Sequence, residues 1–397
     1  MLEGKSIKSW IVVLAAAALW LALSMTYALA QTAIEILYLE HQQPRPATLS
    51  NLDAPPEDEG LQGARLGIAD NNTTGRFLNQ SYRLREVIVP EDGDLLAAAK
   101  QALGEKPTPF IVANLPADDL LALADLPEAK DALIFNAGAA DTRLRDAECR
   151  ANVLHTAPSR AMLADSLMQF LIKKKWTDIL LIEGPRPEDQ LFAQAIRNSA
   201  KKFRTQIVAD KKWTFGPDMR RNASAEVPLF TQEDDYDVVV VADEVGDFGQ
   251  YILYNTWLPR PVAGSNGLMP VGWHRVVEQW GAVQLQSRFR ELADRDMRAR
   301  DYAAWAGVRA VGEAAARTNS GDPDKLTAYI RSPDLKLALF KGRALDFRPW
   351  NGQLRQPIPL VHRGALVALA PFEGFLHQKS DLDTMGIDQP ETKCQLN

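Results

Sequence analysis

HTAPSRAMLADSLMQFLIKKKWTDILLIEGPRPEDQLFA, residues 155–193, carries the chain through a complete strand, helix, strand and loop cycle. His155–Pro158 reads as the end of a short strand followed by a crossing, because the residue before Pro is biased to extended backbone. MLADSLMQFLIKK (162–174) places apolar residues at helical spacing, and Lys173–Lys175 sit where cations suit a helix C-terminus. DILLIEG (178–184) is a continuous apolar run of strand length, and Pro187-Glu188-Asp189 follows as a loop entering the next helix.

The same alternation extends in both directions. Upstream, IEILYL (34–39), YRLREVIVP (82–90), PFIVANLP (109–116) and DALIFNAG (131–138) read as strands. GLQGARLGIADNNTTGRFLN (60–79) reads as a helix ending near Asn72, and DLLAAAKQAL (94–103) and DLLALAD (119–125) as two more. HQQPRPATLSNLDAPPEDEG (41–60) reads as a long loop. Downstream, QLFAQAIRNSAKKF (190–203) is helical and TQIVADKKWTF (205–215) extended. DYDVVVVADE (235–244), with four consecutive valines, is the strongest strand of all. ARDYAAWAGVRAVGEAAART (299–318) and DPDKLTAYIRS (322–332) return to helix, and residues 344–369 read as a hairpin turning at Asn351-Gly352 along a sheet edge. Strands alternating with helices specify an α/β fold with mostly parallel sheets flanked by helices, here twice over. Ligands bind such sheets at the carboxyl ends of their strands.

Lys5 and Lys8 precede an apolar run, Trp10–Leu23, and Ala28-Leu29-Ala30 supplies a small-x-small cleavage pattern. The expectation is a signal peptide over residues 1–30, cleaved after Ala30, and a periplasmic protein that is not membrane-embedded. Without Lys5, Lys8 and Glu3 the formal charge moves from −6 to −7. A mildly acidic chain without a clustered positive field excludes nucleic acid as the expected partner. In an oxidising compartment the two cysteines, Cys149 and Cys394, invite one disulfide.

Enzyme signatures are missing. No GxGxxG after a strand, Walker loop, HExxH or GxSxG occurs, so no catalytic residue, metal ligand or cofactor is expected. His41, His155, His274, His362 and His377 are scattered without metal-ligand spacing. DLDTMGID (381–388) lacks the oxygen ligands of a calcium loop at two positions and reads as a solvated polar tail; EDDYD (233–237) reads as a solvated strand entry. Trp257, Trp273, Trp280 and Trp305 could stack a planar ligand, but packing is the commoner use of isolated tryptophans.

The order of elements resembles the type I periplasmic binding proteins of ABC importers, particularly the Leu/Ile/Val-binding branch. The resemblance rests on GARLGIADNN (63–72), NAGAADTRLR (136–145), HTAPSR (155–160), LLIEGPRPEDQLFA (180–193), DVVVVADEVGDFGQYI (237–252) with GSNG (264–267), and YAAWAGVRAVGEAAA (302–316). It implies a two-lobed fold with several hinge crossings. The first lobe would comprise residues 31–155 plus about 276–340, the second 156–275 plus about 341–375, with a tail over 376–397. The long acidic loop and DTMGIDQPETKC (383–394) are similar to the subgroup associated with pyrroloquinoline-quinone-dependent alcohol catabolism.

Carried over residue by residue, the family's carboxylate-binding positions fall on Ala117, Gly138 and Ala140, its two aromatic positions on Glu188 and Glu244, and its ammonium-pairing acid on Asn266. The hydroxyl donors and the aromatic wall are thus replaced. The resemblance therefore implies a monomeric receptor that closes on a small molecule and docks on an inner-membrane permease, with ordinary Leu, Ile or Val bound poorly. A polyol or other alcohol-derived molecule, a cation, or a metal ion on Glu188, Asp243 and Glu244 would suit the acids better. The alternative is an accessory or sensory binding protein of a quinoprotein alcohol-oxidation system that does not import; an exported hydrolase is disfavoured by the missing nucleophile–base pair.

Overall fold

The computed structural model describes residues 32–44, 55–216 and 219–396. The expected export signal, its cleavage point at Ala30, and residues 45–54 of the long loop lie outside them.

Two parallel sheets organise the chain. The first has order β2-β1-β3-β4-β5 and comprises β1 (Thr32–His41), β2 (Gln80–Val89), β3 (Phe110–Asn114), β4 (Leu133–Asn136) and β5 (Val153–His155). Both faces are covered, so alternate residues of one strand enter different cores: Ile34, Ile36 and Tyr38 of β1 lie in one, Leu37 and Leu39 in the other. Helices α2 (Leu95–Glu105) and α3 (Ala117–Ala124) cover the second of these faces, and α1 (Leu61–Leu78) covers the first.

The second sheet has order β7-β6-β8-β9, from β6 (Asp178–Glu183), β7 (Gln206–Lys212), β8 (Val238–Ala242) and β9 (Val262–Gly264). Val238 and Val240 pack under α4 (Arg160–Lys174) and α5 (Pro187–Phe203), whereas Val239 and Val241 face a core with α6 (Met219–Phe230) and α7 (Gly249–Ile252). The valine run is thus a central strand buried on both sides.

The chain then runs through β10 (Met269–Pro270) back to the first unit, where α8 (Ala282–Ala293) and α9 (Ala299–Thr318) complete its core, followed by α10 (Pro323–Arg331). Helix α1 crosses α9 at very close range: a Cβ on Gly63 would lie 1.9 Å from the Asp301 carbonyl oxygen, so glycine is required there. The expected end of α1 near Asn72 is corrected: the helix runs on to Leu78. Its polar residues are held by tertiary partners, Asn71 donating to the Val308 carbonyl of α9 at 2.9 Å and Asn72 pairing with the Tyr82 backbone of β2 at 2.8 and 2.9 Å, and Asn79 closes the helix in the left-handed conformation.

A small ribbon, β11 (Leu337–Ala338) with β12 (Ala344–Leu345), precedes the Asn351-Gly352 turn. The Asn351-Gly352 turn forms, with Phe347 bridging Leu354 and Gln353 pairing in parallel with His155 at the edge of the first sheet, but residues 344–369 are not one hairpin: β12 pairs with β11, and the strands after Pro357 pair with each other. Phe347 and Leu354 belong to the first core, so the return to the second unit falls after Leu354 rather than at about 341. A second hairpin, β13 (Ile358–His362) with β14 (Ala365–Ala370), pairs with β10.

The reading of 381–388 as a solvated tail is overturned. Leu382 and Met385 are buried against Met162 and Ile358, and the fully buried Asp383 accepts hydrogen bonds from Arg348 and Arg355, each at 2.8 Å. Farther on, Cys394 is disulfide-bonded to Cys149, with Cα atoms 5.6 Å apart. The segment therefore touches α4 of the second unit and ends on the first.

Candidate ligand-binding cleft

The carboxyl ends of the strands place the predicted residues on loops, as a parallel sheet requires. On the first unit, Ala117 opens α3 just after β3, and Gly138–Ala140 follow β4. Asn136 builds the second loop: its side-chain oxygen accepts from Gly138 N at 3.2 Å and Ala139 N at 2.9 Å, and its amide donates to the Ala139 carbonyl at 2.8 Å. Gly138 touches the neighbouring loop so closely that a Cβ would lie 2.8 Å from Leu115 N. Neither Ala117 nor Ala140 offers a side-chain hydrogen bond.

On the second unit the predicted acids have different fates. Glu188 is exposed in the first turn of α5. Asp243 is buried, and its two oxygens accept from the backbone N–H groups of Gly246, Asp247, Phe248 and Gly249 at 2.6–3.0 Å. It shapes the loop after β8, and those bonds occupy the lone pairs a metal would need. Glu244 is engaged by Arg160, which donates to both its oxygens at 2.9 and 2.7 Å. Asn266 lies beside Asp243, both side chains crowding the position above Gly249. The structure thus does not assemble Glu188, Asp243 and Glu244 into one cation site, and no group of three metal-capable side chains occurs among the described residues.

Arg160 joins the two sets of loops. Besides Glu244 it donates to Asp141 at 2.9 Å, and its own N–H reaches the Ala140 carbonyl at 2.8 Å. Its side chain is only 8% exposed. Burial pulls the guanidinium pKa down, but the two carboxylates outweigh that and hold it above its ordinary value. Behind Glu244, Asp189 accepts from Glu244 N at 2.7 Å and from Arg186 N at 3.2 Å. Burial, opposed by the Glu244 N–H and reinforced by Asp243, pushes the Asp189 carboxyl up to about 7.

Three crossings connect the units, and their backbones are tied together. Lys341 donates to the carbonyls of Gly272 at 2.7 Å and Pro357 at 3.2 Å and to the Gln356 side chain at 2.5 Å, while Gln356 donates to the Thr156 carbonyl at 2.9 Å. Arg145, wholly buried, holds the carbonyls of Ala139, Asp141 and Ala157 and the Gln353 side chain. Buried among carbonyls rather than carboxylates, Lys341 is pushed well below its ordinary pKa.

No protein-family model and no curated protein sequence matches the chain. Solved structures do. A periplasmic binding protein from Burkholderia mallei matches 92% of this chain and 99% of its own, at 14% identity and a TM-score of 0.64. A branched-chain amino acid ABC transporter periplasmic ligand-binding protein from Burkholderia xenovorans matches 85% of this chain and 95% of its own, at 15% identity and a TM-score of 0.66. An ABC transporter solute-binding protein from R. palustris, in complex with benzoate, matches 91% and 99%, at 12% identity and a TM-score of 0.65. The fold is that of the type I periplasmic binding proteins.

Within this fold, sequence reasoning missed the residues that organise the cleft. Arg160 sits in the first turn of α4, where a cation opposes the helix dipole; a basic residue at such a position signals acids nearby. Arg145, Lys341 and Gln356 carry no comparable signal, because they bind mostly backbone carbonyls, which any residue supplies, and amide side chains rather than acids. The tryptophans divide: Trp273, stacked on Tyr302 at 4.5 Å, and Trp305 are core residues, whereas Trp257 and Trp280 are about half exposed.

Proposed function

We propose that the chain is the solute-binding component of an ABC importer, acting in the periplasm after export. The observation that carries this reading is Arg160, a single guanidinium that reaches a loop of each α/β unit across a triply connected hinge. Loops from opposing sheets meeting at one buried charge form a cleft that can close on a small molecule. Closure is driven by the ligand's preference for the closed form, and no covalent chemistry is required. The permease would then recognise the closed arrangement. Solved structures sharing the fold include proteins described as periplasmic, ligand-binding and parts of ABC transporters, which supports the same reading.

The ligand is read as a small molecule without an α-amino-carboxylate. Ala117 and Ala140 provide no hydroxyl donors for a carboxylate, and the acid at 244 is held by Arg160 instead of facing an ammonium. Compensation of Glu244 removes much of the expected attraction for cations, which leaves a neutral polyol or alcohol-derived molecule as the best fit. The narrower role in pyrroloquinoline-quinone-dependent alcohol catabolism rests on the loop over 41–60 and the segment over 383–394. Thermal-shift screening with alcohols, polyols and their oxidation products, followed by uptake measurements in a deletion strain, tests the proposal. Binding with reduced uptake supports it; binding with unchanged uptake replaces the importer with an accessory or sensory role.

A further inference from the structure

On the outer side of the first unit, between α1, β2 and α9, lies a recess of about 70 Å³ lined by Asn71, Thr74, Gln80, Tyr82, Arg309 and Glu313. That volume exceeds what one water needs and suits a small ion with its solvent. Its polar walls are largely committed to one another. Gln80 donates to the Ala315 carbonyl at 3.0 Å, Tyr82 donates to Gln80 at 2.8 Å, and Asn71 donates to the Val308 carbonyl at 2.9 Å.

Arg309 is the exception. Its guanidinium makes one hydrogen bond, to the Asn71 side-chain oxygen, and no carboxylate lies within ion-pair distance among the described residues. The two nearest acids have other partners. Asp70 is bound by Arg288 at 3.1 Å and by Trp305 Nε1 at 2.9 Å, and Glu313 by Arg317 at 2.8 Å. The neighbourhood therefore carries an excess positive charge on a partly buried fork of five N–H donors, four of them without a protein acceptor. A half-buried guanidinium without a carboxylate keeps donors open to the recess, and an oxyanion is its geometric complement.

We propose that this recess binds a small oxyanion, of carboxylate or phosphate size, on Arg309, independently of the cleft. Such an ion would link α1 to α9, whose contact builds the first core, and so stiffen that unit. The test is thermal unfolding of the full mature protein with sodium phosphate, sodium sulfate or sodium acetate, against sodium chloride at matched ionic strength. A saturable rise in Tm of about 2–4 °C is expected for at least one ion, and its identity separates a tetrahedral from a planar ligand. The rise should vanish in Arg309→Gln. Glu313→Gln, which removes a repelling carboxylate and keeps the fork, should strengthen binding about threefold or more; this variant decides the matter if Arg309→Gln fails to fold. A response no larger than that to chloride, a response that persists in Arg309→Gln, or unchanged or weaker binding in Glu313→Gln overturns the proposal.

Discussion

Replacing Cys149 and Cys394 together by serine should cost far more stability than the local contacts of the disulfide suggest. The bond joins residues 245 apart in sequence, so it closes a very long loop in the unfolded chain. Chain-entropy reasoning for a loop of that length gives about 5.5 kcal/mol at 25 °C as an upper bound, with 2–4 kcal/mol the usual range for disulfides. The native state should barely change, because the segment is also held by noncovalent contacts. Asp383 is buried between Arg348 and Arg355, and Gly386 N donates to Asp165 at 2.8 Å while Lys202 holds the Gly386 carbonyl at 2.9 Å. The assay is urea unfolding followed by tryptophan fluorescence, oxidised wild type against the double serine variant, with amide exchange on both. The expected result is a loss of about 2–5 kcal/mol with protection retained at Leu382 to Gly386. A loss below about 1 kcal/mol, or loss of protection throughout 381–396 without a shift in the main transition, would refute the unfolded-state argument.

Arg160→Gln should destabilise the protein by about 1–3 kcal/mol, between the values for exposed and fully buried pairs, since Glu244 is a quarter exposed. A double-mutant cycle with Glu244→Gln measures the coupling, and additivity of the two losses would show that the pair is not formed. Asp189 supplies a pH dependence. Its carboxyl keeps a proton up to about pH 7 in the folded state but releases it near 3.8 when unfolded, so folding takes up a proton between those values. This group's contribution to stability therefore falls as pH rises from about 4 to 7 and levels off above. In Asp189→Asn, stability measured across that window should lose this downward component; an unchanged profile contradicts the assignment.

The fold was legible because both sheets are parallel and covered on both faces, so runs such as IFN at 134–136 and VVVV at 238–241 stand out as central strands. The Asn351-Gly352 turn was equally plain. The segment from Asn72 to Leu78 was not, because its polar residues are fixed by tertiary partners: Asn72 pairs with the Tyr82 backbone of β2, and an Asn with such a partner looks like a turn when only the sequence is read. The tail was misread for the same reason: Asp383 looks solvated until Arg348 and Arg355 are brought to it from 35 and 28 residues away. At the cleft, the loops were found but the state of the acids was not. Asp243 binds its own loop's N–H groups and Glu244 meets Arg160 from 84 residues away, a pairing that spacing along the chain does not reveal.

The most direct test of the account is mass spectrometry of small molecules released on denaturing the purified protein, paired with calorimetric titration of leucine, isoleucine and valine. The account predicts a released ligand lacking an α-amino-carboxylate and no measurable heat with the three amino acids. Stoichiometric recovery of a branched-chain amino acid, or tight binding of one, would contradict it.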